Sequence, residues 1–280
     1  MQQENKRNLT LLLKVAGLSR STYYFEINKK DSDEKNALIC ERIREVFNAH
    51  HCNYGVRRIY HQLINEGLVV NHKKVQRLMN KMGLTARKHK QKYHSYQGTI
   101  GPIAKNELQR NFVASKPNQK WTTDVSQFSF RWGKCYLSPI MDMFNNEIIS
   151  YDLSLSPNFE QIERMLSKAK IEEKDVSNLI FHSDQGWQYQ NPRYVKFLKE
   201  KGIKQSMSRK GNCFDNVIME SFFGVMKNEI FYGHEYEYHS FSQFLNVVDK
   251  YMFYYNNERI KEKTNWMSPV KYRESLGFIT

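Results

Sequence analysis

Apolar residues keep a helical spacing up to Gly83 and turn to short strand-like runs from Lys120. A chain that changes period in this way folds as a helical part followed by a sheet-containing part. In the front part, Val56, Ile59, Tyr60, Leu63 and Ile64 fall at i, i+3, i+4, i+7 and i+8, and Gly67 stands at a helix C-cap. A Leu68-Val69-Val70 turn follows, then Asn71 as an N-cap, then Val75, Leu78, Met79 and Met82 at the same spacing before Gly83. An earlier stripe of Leu38, Ile39, Ile43, Val46 and Phe47 comes after Asp31 and Ser32, which read as a helix start. The spacing predicts a tri-helical, helix-turn-helix region over 31–90, preceded by a small helical segment over 1–30 whose pattern runs from Leu11 to Tyr24.

In the back part, Trp121–Phe128, Lys134–Met141 and Asn146–Leu153 read as three consecutive strands, the first alternating, which suggests an antiparallel meander. A helix from Phe159 to Lys170 leads to a buried strand, Leu179–Asp184, and a helix from Pro192 to a strand at Lys204–Met207. Helices from Asn216 and Ser240 complete the chain. Five strands with interleaved helices predict an α/β core over 117–280, a mixed sheet flanked by helices. A polar stretch with Gly98, Gly101 and Pro102 marks the linker, 91–116.

Charge follows the same division. Residues 1–115 carry 21 Lys and Arg against 9 Asp and Glu, and the remainder carries 22 against 20. A basic front joined to a near-neutral back fits a nucleic-acid-binding module attached to something else. Lys73, Lys74, Arg77 and Lys81 lie off the apolar stripe of their helix, with no acid between Glu66 and its end. Such a row is either a solvated helix face or one whose repulsion phosphates relieve, and on the second reading this face is the candidate contact to duplex DNA. Four scattered cysteines without a C-x-x-C pair suggest neither a zinc ribbon nor a disulfide framework, and His50-His51-Cys52 lacks a second ligand pair. The Leu9–Leu13 run is broken by Lys14 and reads as a helix rather than a signal peptide. With no long apolar span, the expectation is a cytoplasmic protein with no membrane partner.

Three acids stand out. Asp124 lies in the first strand, Asp184 closes the fourth, and Glu220 shares a helix stripe with Asn216, Gly224 and Lys227, roughly opposite Ile218, Phe222 and Val225. Singly, each fits a cap, a turn or a salt bridge. Together, three hard oxygen ligands suit two Mg²⁺ ions about 3.5–4 Å apart, the arrangement of phosphoryl transfer, with Lys227 beside the phosphates.

At these residues the chain resembles the second-reading-frame (OrfB) proteins of bacterial insertion sequences of the IS-three type, whose core is similar to retroviral integrase. The resemblance runs from Asn53-Tyr54-Gly55-Val56-Arg57-Arg58 to Ser268-Pro269. It is carried by Trp121-Thr122-Thr123-Asp124, by His182-Ser183-Asp184-Gln185-Gly186 with Tyr189, by Asp215-Asn216 with Glu220-Ser221-Phe222-Phe223 and Lys227, and by Tyr254-Tyr255-Asn256-Asn257-Glu258-Arg259. Thirty-five residues separate Asp184 from Glu220, the family's D,D-35-E spacing. The resemblance implies a ribonuclease-H-like fold, a catalytic and metal-binding triad of Asp124, Asp184 and Glu220, and a basic partner in Lys227. It also implies two Mg²⁺ ions, for which Mn²⁺ substitutes, and double-stranded DNA, both element ends and target, as the substrate. The implied activity is a DNA transposase that cleaves and transfers strands, as a homo-oligomer on DNA in the bacterial nucleoid. Lys210, beside Gly211 in the loop before the Asn216 helix, is a further candidate DNA contact. No sustained heptad repeat is present, so the chain reads as the second-frame part, with the first-reading-frame protein or its fusion as a partner. The alternatives are a nuclease that only hydrolyses and a DNA-binding regulator whose core is inactive or partner-dependent.

Overall fold

The computed structural model describes residues 2–86, 103–209 and 215–278. It divides the chain into two compact units, Met1–Ala86 and Arg87–Thr280. The basic run Arg87–Lys92 and Lys210 lie outside the described residues. Among those described, no helix is long and apolar enough to cross a membrane.

The front unit contains α1 (Gln2–Val15), α2 (Arg20–Ala49), α3 (Val56–Asn65) and α4 (His72–Lys81). The expected division at residues 30/31 is not a break: α2 crosses it, and the helix start read at Asp31–Ser32 falls inside α2. Ser19 caps α2 instead, its Oγ accepting from the Thr22 N–H at 3.0 Å, and no Gly or Pro interrupts the thirty residues that follow. Leu38, expected on the apolar stripe, is 79% exposed. Ile39 is half-buried, and the remainder of the stripe is buried: Ile43, Val46 and Phe47 of α2 join Ile59 and Leu63 of α3 with Val75, Leu78 and Met79 of α4. Burying each contributes about 1.5–3 kcal/mol, which holds α3 and α4, ten residues each and too short to persist alone. Asn71 caps α4 through Lys73 N–H at 2.8 Å, and Gly67 and Gly83 take φ of +83° and +68° after α3 and α4.

The second unit is built on β1 (Lys120–Thr123), β2 (Ser126–Phe130), β3 (Gly133–Asp142), β4 (Glu147–Ser154), β5 (Ile180–Ser183) and β6 (Lys204–Met207). Six strand segments stand where five were expected, because the first expected strand is broken between Thr123 and Ser126. At the break the Asp124 carboxylate takes the Val125 N–H at 2.7 Å. β1 and β2 pair antiparallel with successive stretches of β3, opposite the edge that carries β4, so they are two halves of one bent line. β5 then lies parallel to β1, and β6 parallel to β5. The sheet is mixed, with a consecutive antiparallel half and a parallel half.

Side chains alternate across β3 and build a core on each face. Cys135, Leu137 and Met141 face one layer, with Met219, Phe222, Phe223 and Met226 of α7 (Val217–Ile230) and Phe244, Val248 and Met252 of α8 (Phe241–Asn257). Ile140 faces the other, with Ile162, Met165 and Leu166 of α5 (Phe159–Lys168) and Tyr194 and Leu198 of α6 (Pro192–Glu200). The chain ends on α9 (Pro269–Ser275). Part of the expected linker belongs to this unit: Leu108 is buried, the Glu107 N–H donates to Ser206 Oγ at 2.9 Å, and buried Lys120 donates to the carbonyls of Asn111 and Val113 at 2.8 and 2.7 Å.

Candidate active site

Parallel pairing brings the first two acids to one place. β1 and β5 are in register with Thr122 beside His182, and Asp124 and Asp184 each lie two residues further along their strands. They therefore leave the sheet side by side at the carboxyl ends of neighbouring strands, the usual site of chemistry in sheets of this kind. Asp124 is buried and Asp184 half-buried. Burial first, then the charge of Asp184, and then that of Glu220 push the Asp124 carboxyl well above the ordinary carboxylate range. Burial raises Asp184 as well, opposed by the Gly186 N–H, which donates to its Oδ1 at 2.8 Å.

The third acid comes from α7. Asn216, at the N-cap position of α7, donates from Nδ2 to Asp124 Oδ2 at 3.0 Å, and Glu220 follows one turn later on the same face. Glu220 is half-buried, and burial raises its carboxyl too. The three acids thus share one electrostatic environment. Among the described residues, however, no three His, Cys, Asp or Glu side chains close around a single point as ion ligands. Lys227, two turns after Glu220, lies on β2, with its Nζ donating to the Gln127 carbonyl at 3.0 Å and standing 4.9 Å from the centre of the Phe128 ring. Burial lowers its ammonium, and the charge of Asp124 opposes that shift.

Residues without an individual role in the sequence hold this arrangement in place. Asp215 is almost fully buried and is gripped by Arg209 through Nε and Nη2 at 2.9 and 3.0 Å, by Asn106 at 3.0 Å and by Arg110 at 3.2 Å. The Arg209 guanidinium, ahead of the other donors, holds the Asp215 carboxyl well below its usual range. The Asp215 carbonyl accepts from His182 Nε2 at 3.0 Å, and His182 Nδ1 lies 2.9 Å from Ser206 Oγ. Burial pushes His182 down to about 4, so the ring is neutral, with its proton on Nε2 facing the carbonyl. Ser206 Oγ accepts from Glu107 N–H and donates its own O–H to Nδ1, which completes a chain from residue 107 to the start of α7. The His182 motif therefore fixes the entry of the Glu220 helix. Arg209 and Asn106 carry no periodic or motif signal that would have named them.

Gly186 tests the tightness of the Asp184 loop. A Cβ there would meet Gln188 Oε1 at 2.8 Å and Asp184 Oδ1 at 2.9 Å. The glutamine can swing away, whereas the carboxylate is displaced from its place. We expect Gly186→Ala to lower DNA cleavage and joining about 10–100-fold, the scale of an ångström-sized misplacement, with the melting temperature nearly unchanged. Wild-type joining by the variant would refute this account of the loop.

Of the expected DNA contacts in the front unit, Lys73, Arg77 and Lys81 are exposed on α4, and Lys74 is half-buried. All lie off the buried Val75–Leu78–Met79 stripe.

The family pattern of integrase core domains matches residues 114–213 and a second one matches 220–276, while a helix-turn-helix-like domain matches 33–92. The chain is 45% identical over 262 residues to an Escherichia coli K12 protein named as a transposase, InsK, of insertion element IS150, with 94% of this chain and 92% of that protein covered. It is 54% identical over 210 residues to a transposase-like protein of Haemophilus influenzae, covering 75% of this chain and 96% of the other. Among solved structures, the magnesium-bound catalytic core of HTLV-2 integrase superimposes with a TM-score of 0.41 at 16% identity, over 56% of this chain and 97% of that one.

Proposed function

The chain belongs to the insertion-sequence transposases, in the IS-three-type group of second-reading-frame proteins with an integrase core, and on that premise we propose that Asp124, Asp184 and Glu220 perform its phosphoryl transfer with two Mg²⁺ ions. The observation that carries this reading is the register of β1 and β5, which sets a buried and a half-buried carboxylate beside each other at adjacent strand ends. Two such anions destabilise one another unless a cation lies between them, and an all-oxygen donor set suits a hard divalent ion. Mg²⁺ fits these residues, and Mn²⁺ substitutes for it. The ions would make the attacking oxygen more acidic and neutralise the charge building on the leaving oxygen.

The chain's own groups do the rest. Asp124 and Asp184 hold the site from the sheet, Glu220 completes it from α7, and the Asn216 amide keeps Asp124 turned towards α7. Lys227 contributes a cation for the DNA backbone from the same helix. In the first step water attacks the phosphorus at the element end, breaking the P–O3′ bond and leaving a free 3′-OH. In the second, that hydroxyl attacks a target phosphodiester, forming a new P–O3′ bond and releasing the target's own 3′-OH. Neither step needs a covalent enzyme intermediate. The working form is a multimer that brings two ends together, alone or with the first-reading-frame protein, on the bacterial nucleoid in the cytoplasm.

The direct test is cleavage and joining of labelled DNA carrying element ends, in Mg²⁺ or Mn²⁺, by the intact chain and by Glu220→Gln. Joined products from the intact chain alone support the triad. Equal joining by both removes Glu220 from it.

The α4 face is the proposed duplex contact. Each phosphate contact adds about −0.9 to the slope of log affinity against log salt. The double variant Lys73→Ala, Arg77→Ala is expected to weaken binding to all duplexes about equally and to flatten that slope by roughly 1–2. An unchanged slope in a salt titration would place the contact elsewhere.

A further inference from the structure

Asn216 occupies an N-cap position and does not cap. Asn is favoured there because its Oδ1 accepts a backbone N–H of the first turn, a bond that contributes about 1 kcal/mol. The Asn216 side chain makes no such bond, and the residue is only 7% exposed. Its Nδ2 donates to Asp124 Oδ2 at 3.0 Å, the orientation of the amide that an ionised Asp124, which can only accept, requires. The Oδ1 is left buried with no hydrogen-bond partner among the described residues. An unsatisfied buried acceptor costs about 1–3 kcal/mol, on top of the cap it forgoes. The backbone that carries it is held on both sides. Asp215, just before it, is held by Arg209, Asn106, Arg110 and His182, and α7 begins just after it. A rigid backbone thus carries an unused oxygen on the same amide whose nitrogen bonds Asp124.

We propose that Asn216 Oδ1 is a further ligand of the divalent cation at Asp124, bound directly or through one of the ion's water molecules. An amide carbonyl is a hard oxygen donor of the kind Mg²⁺ and Mn²⁺ accept. Its neutrality matters here: a fourth carboxylate would add to the repulsion among Asp124, Asp184 and Glu220, whereas the amide adds an oxygen without a charge. Nδ2 meanwhile stabilises Asp124 in its ionised, ligating form. The same side chain therefore serves the ion with its oxygen and the acid with its nitrogen, one helical turn before Glu220.

This inference rests on the acid pair being a cation site, and the experiment separates the two. Mn²⁺ is titrated into the full chain bound to a duplex carrying an element end, with free Mn²⁺ read by electron paramagnetic resonance. Wild type is compared with Asn216→Ala, Asn216→Asp and Asp124→Asn, and each variant is also melted in chelator. The expected result is at least tenfold weaker Mn²⁺ binding for Asn216→Ala with a cooperative transition retained. Asn216→Asp keeps the oxygen and loses the donor, so it is expected to hold Mn²⁺ at least as tightly as wild type and to melt lower without metal. Wild-type Mn²⁺ affinity in Asn216→Ala overturns the proposal. Equal weakening in both Asn216 variants also overturns it and reduces the residue to a donor that positions Asp124. If Asp124→Asn binds Mn²⁺ like wild type, the acid-pair reading falls and this inference falls with it.

Discussion

Asp124→Asn, Asp184→Asn and Glu220→Gln are each expected to lower cleavage and joining at least about 1,000-fold, roughly 4 kcal/mol of transition-state stabilisation, while DNA retention stays unchanged. Each replacement keeps the shape of the side chain and removes one anion. Stability is expected to move in the opposite direction for Asp124→Asn, because in the wild type burial and the charges of Asp184 and Glu220 work against the ionised form. The sign follows from linkage. A carboxyl raised on folding binds more protons in the native state than in the unfolded chain, so stability in chelator falls as pH rises above the unfolded value of about 4. Asp124→Asn should flatten that fall, and saturating Mn²⁺ should reverse it in the wild type. Melting temperatures from pH 4 to 8, with chelator and with Mn²⁺, check this. A variant that is inactive and also much less stable in chelator would show that Asp124 is a structural anchor.

The largest expected effect on stability lies away from the chemistry. The Arg273 side chain of α9 is 6% exposed, with Nη2 3.1 Å from Oδ2 of fully buried Asp142 and Nε 3.0 Å from a Glu147 oxygen. Asp142 also accepts the N–H groups of Asn118 and Phe144 at 2.8 and 2.9 Å. Even so, burial raises its carboxyl, and Arg273 works against that rise. Arg273→Ala would leave two buried carboxylates without their cation, a loss of about 3–5 kcal/mol. For a unit of this size that is a melting-temperature drop of roughly 6–20 °C. Adding Asp142→Asn and Glu147→Gln to the same chain should recover much of it, since the cost is the uncompensated charge rather than the missing contact. A drop below about 2 °C in calorimetry would rule out this ion cluster as what fastens α9 to β3 and β4.

How far the sequence could be read depended on whether the signal was local. α3 and α4 were legible because their stripes are bounded by Asn71, Gly67 and Gly83, each in the conformation its residue type favours. The acids stood out only together, since each alone fits a cap, a turn or a salt bridge, and it was their joint chemistry and their spacing that pointed to one site. The continuity of α2 was not legible, since Asp31 and Ser32 resemble a cap although nothing nearby stops the helix. Nor was the strand break at Asp124, where a side chain competes with the ladder for one N–H. The Asp215 anchor was hidden for another reason: Asn106 and Arg110 reach it across more than a hundred residues, and no periodicity records a hydrogen bond of that span.

The pairing of β1 with β5 also imposes an order in time. Asp124 and Asp184 become neighbours only through strands whose members stand 60 positions apart, with β2, β3, β4 and α5 in between, and Glu220 arrives later still. A chain emerging from the ribosome completes its basic helical unit well before the sheet can close. On the proposed roles of α4 and the three acids, nascent chains would hold DNA before they could cut it, and a product released before α7 would occupy element ends as an inert competitor of the finished protein.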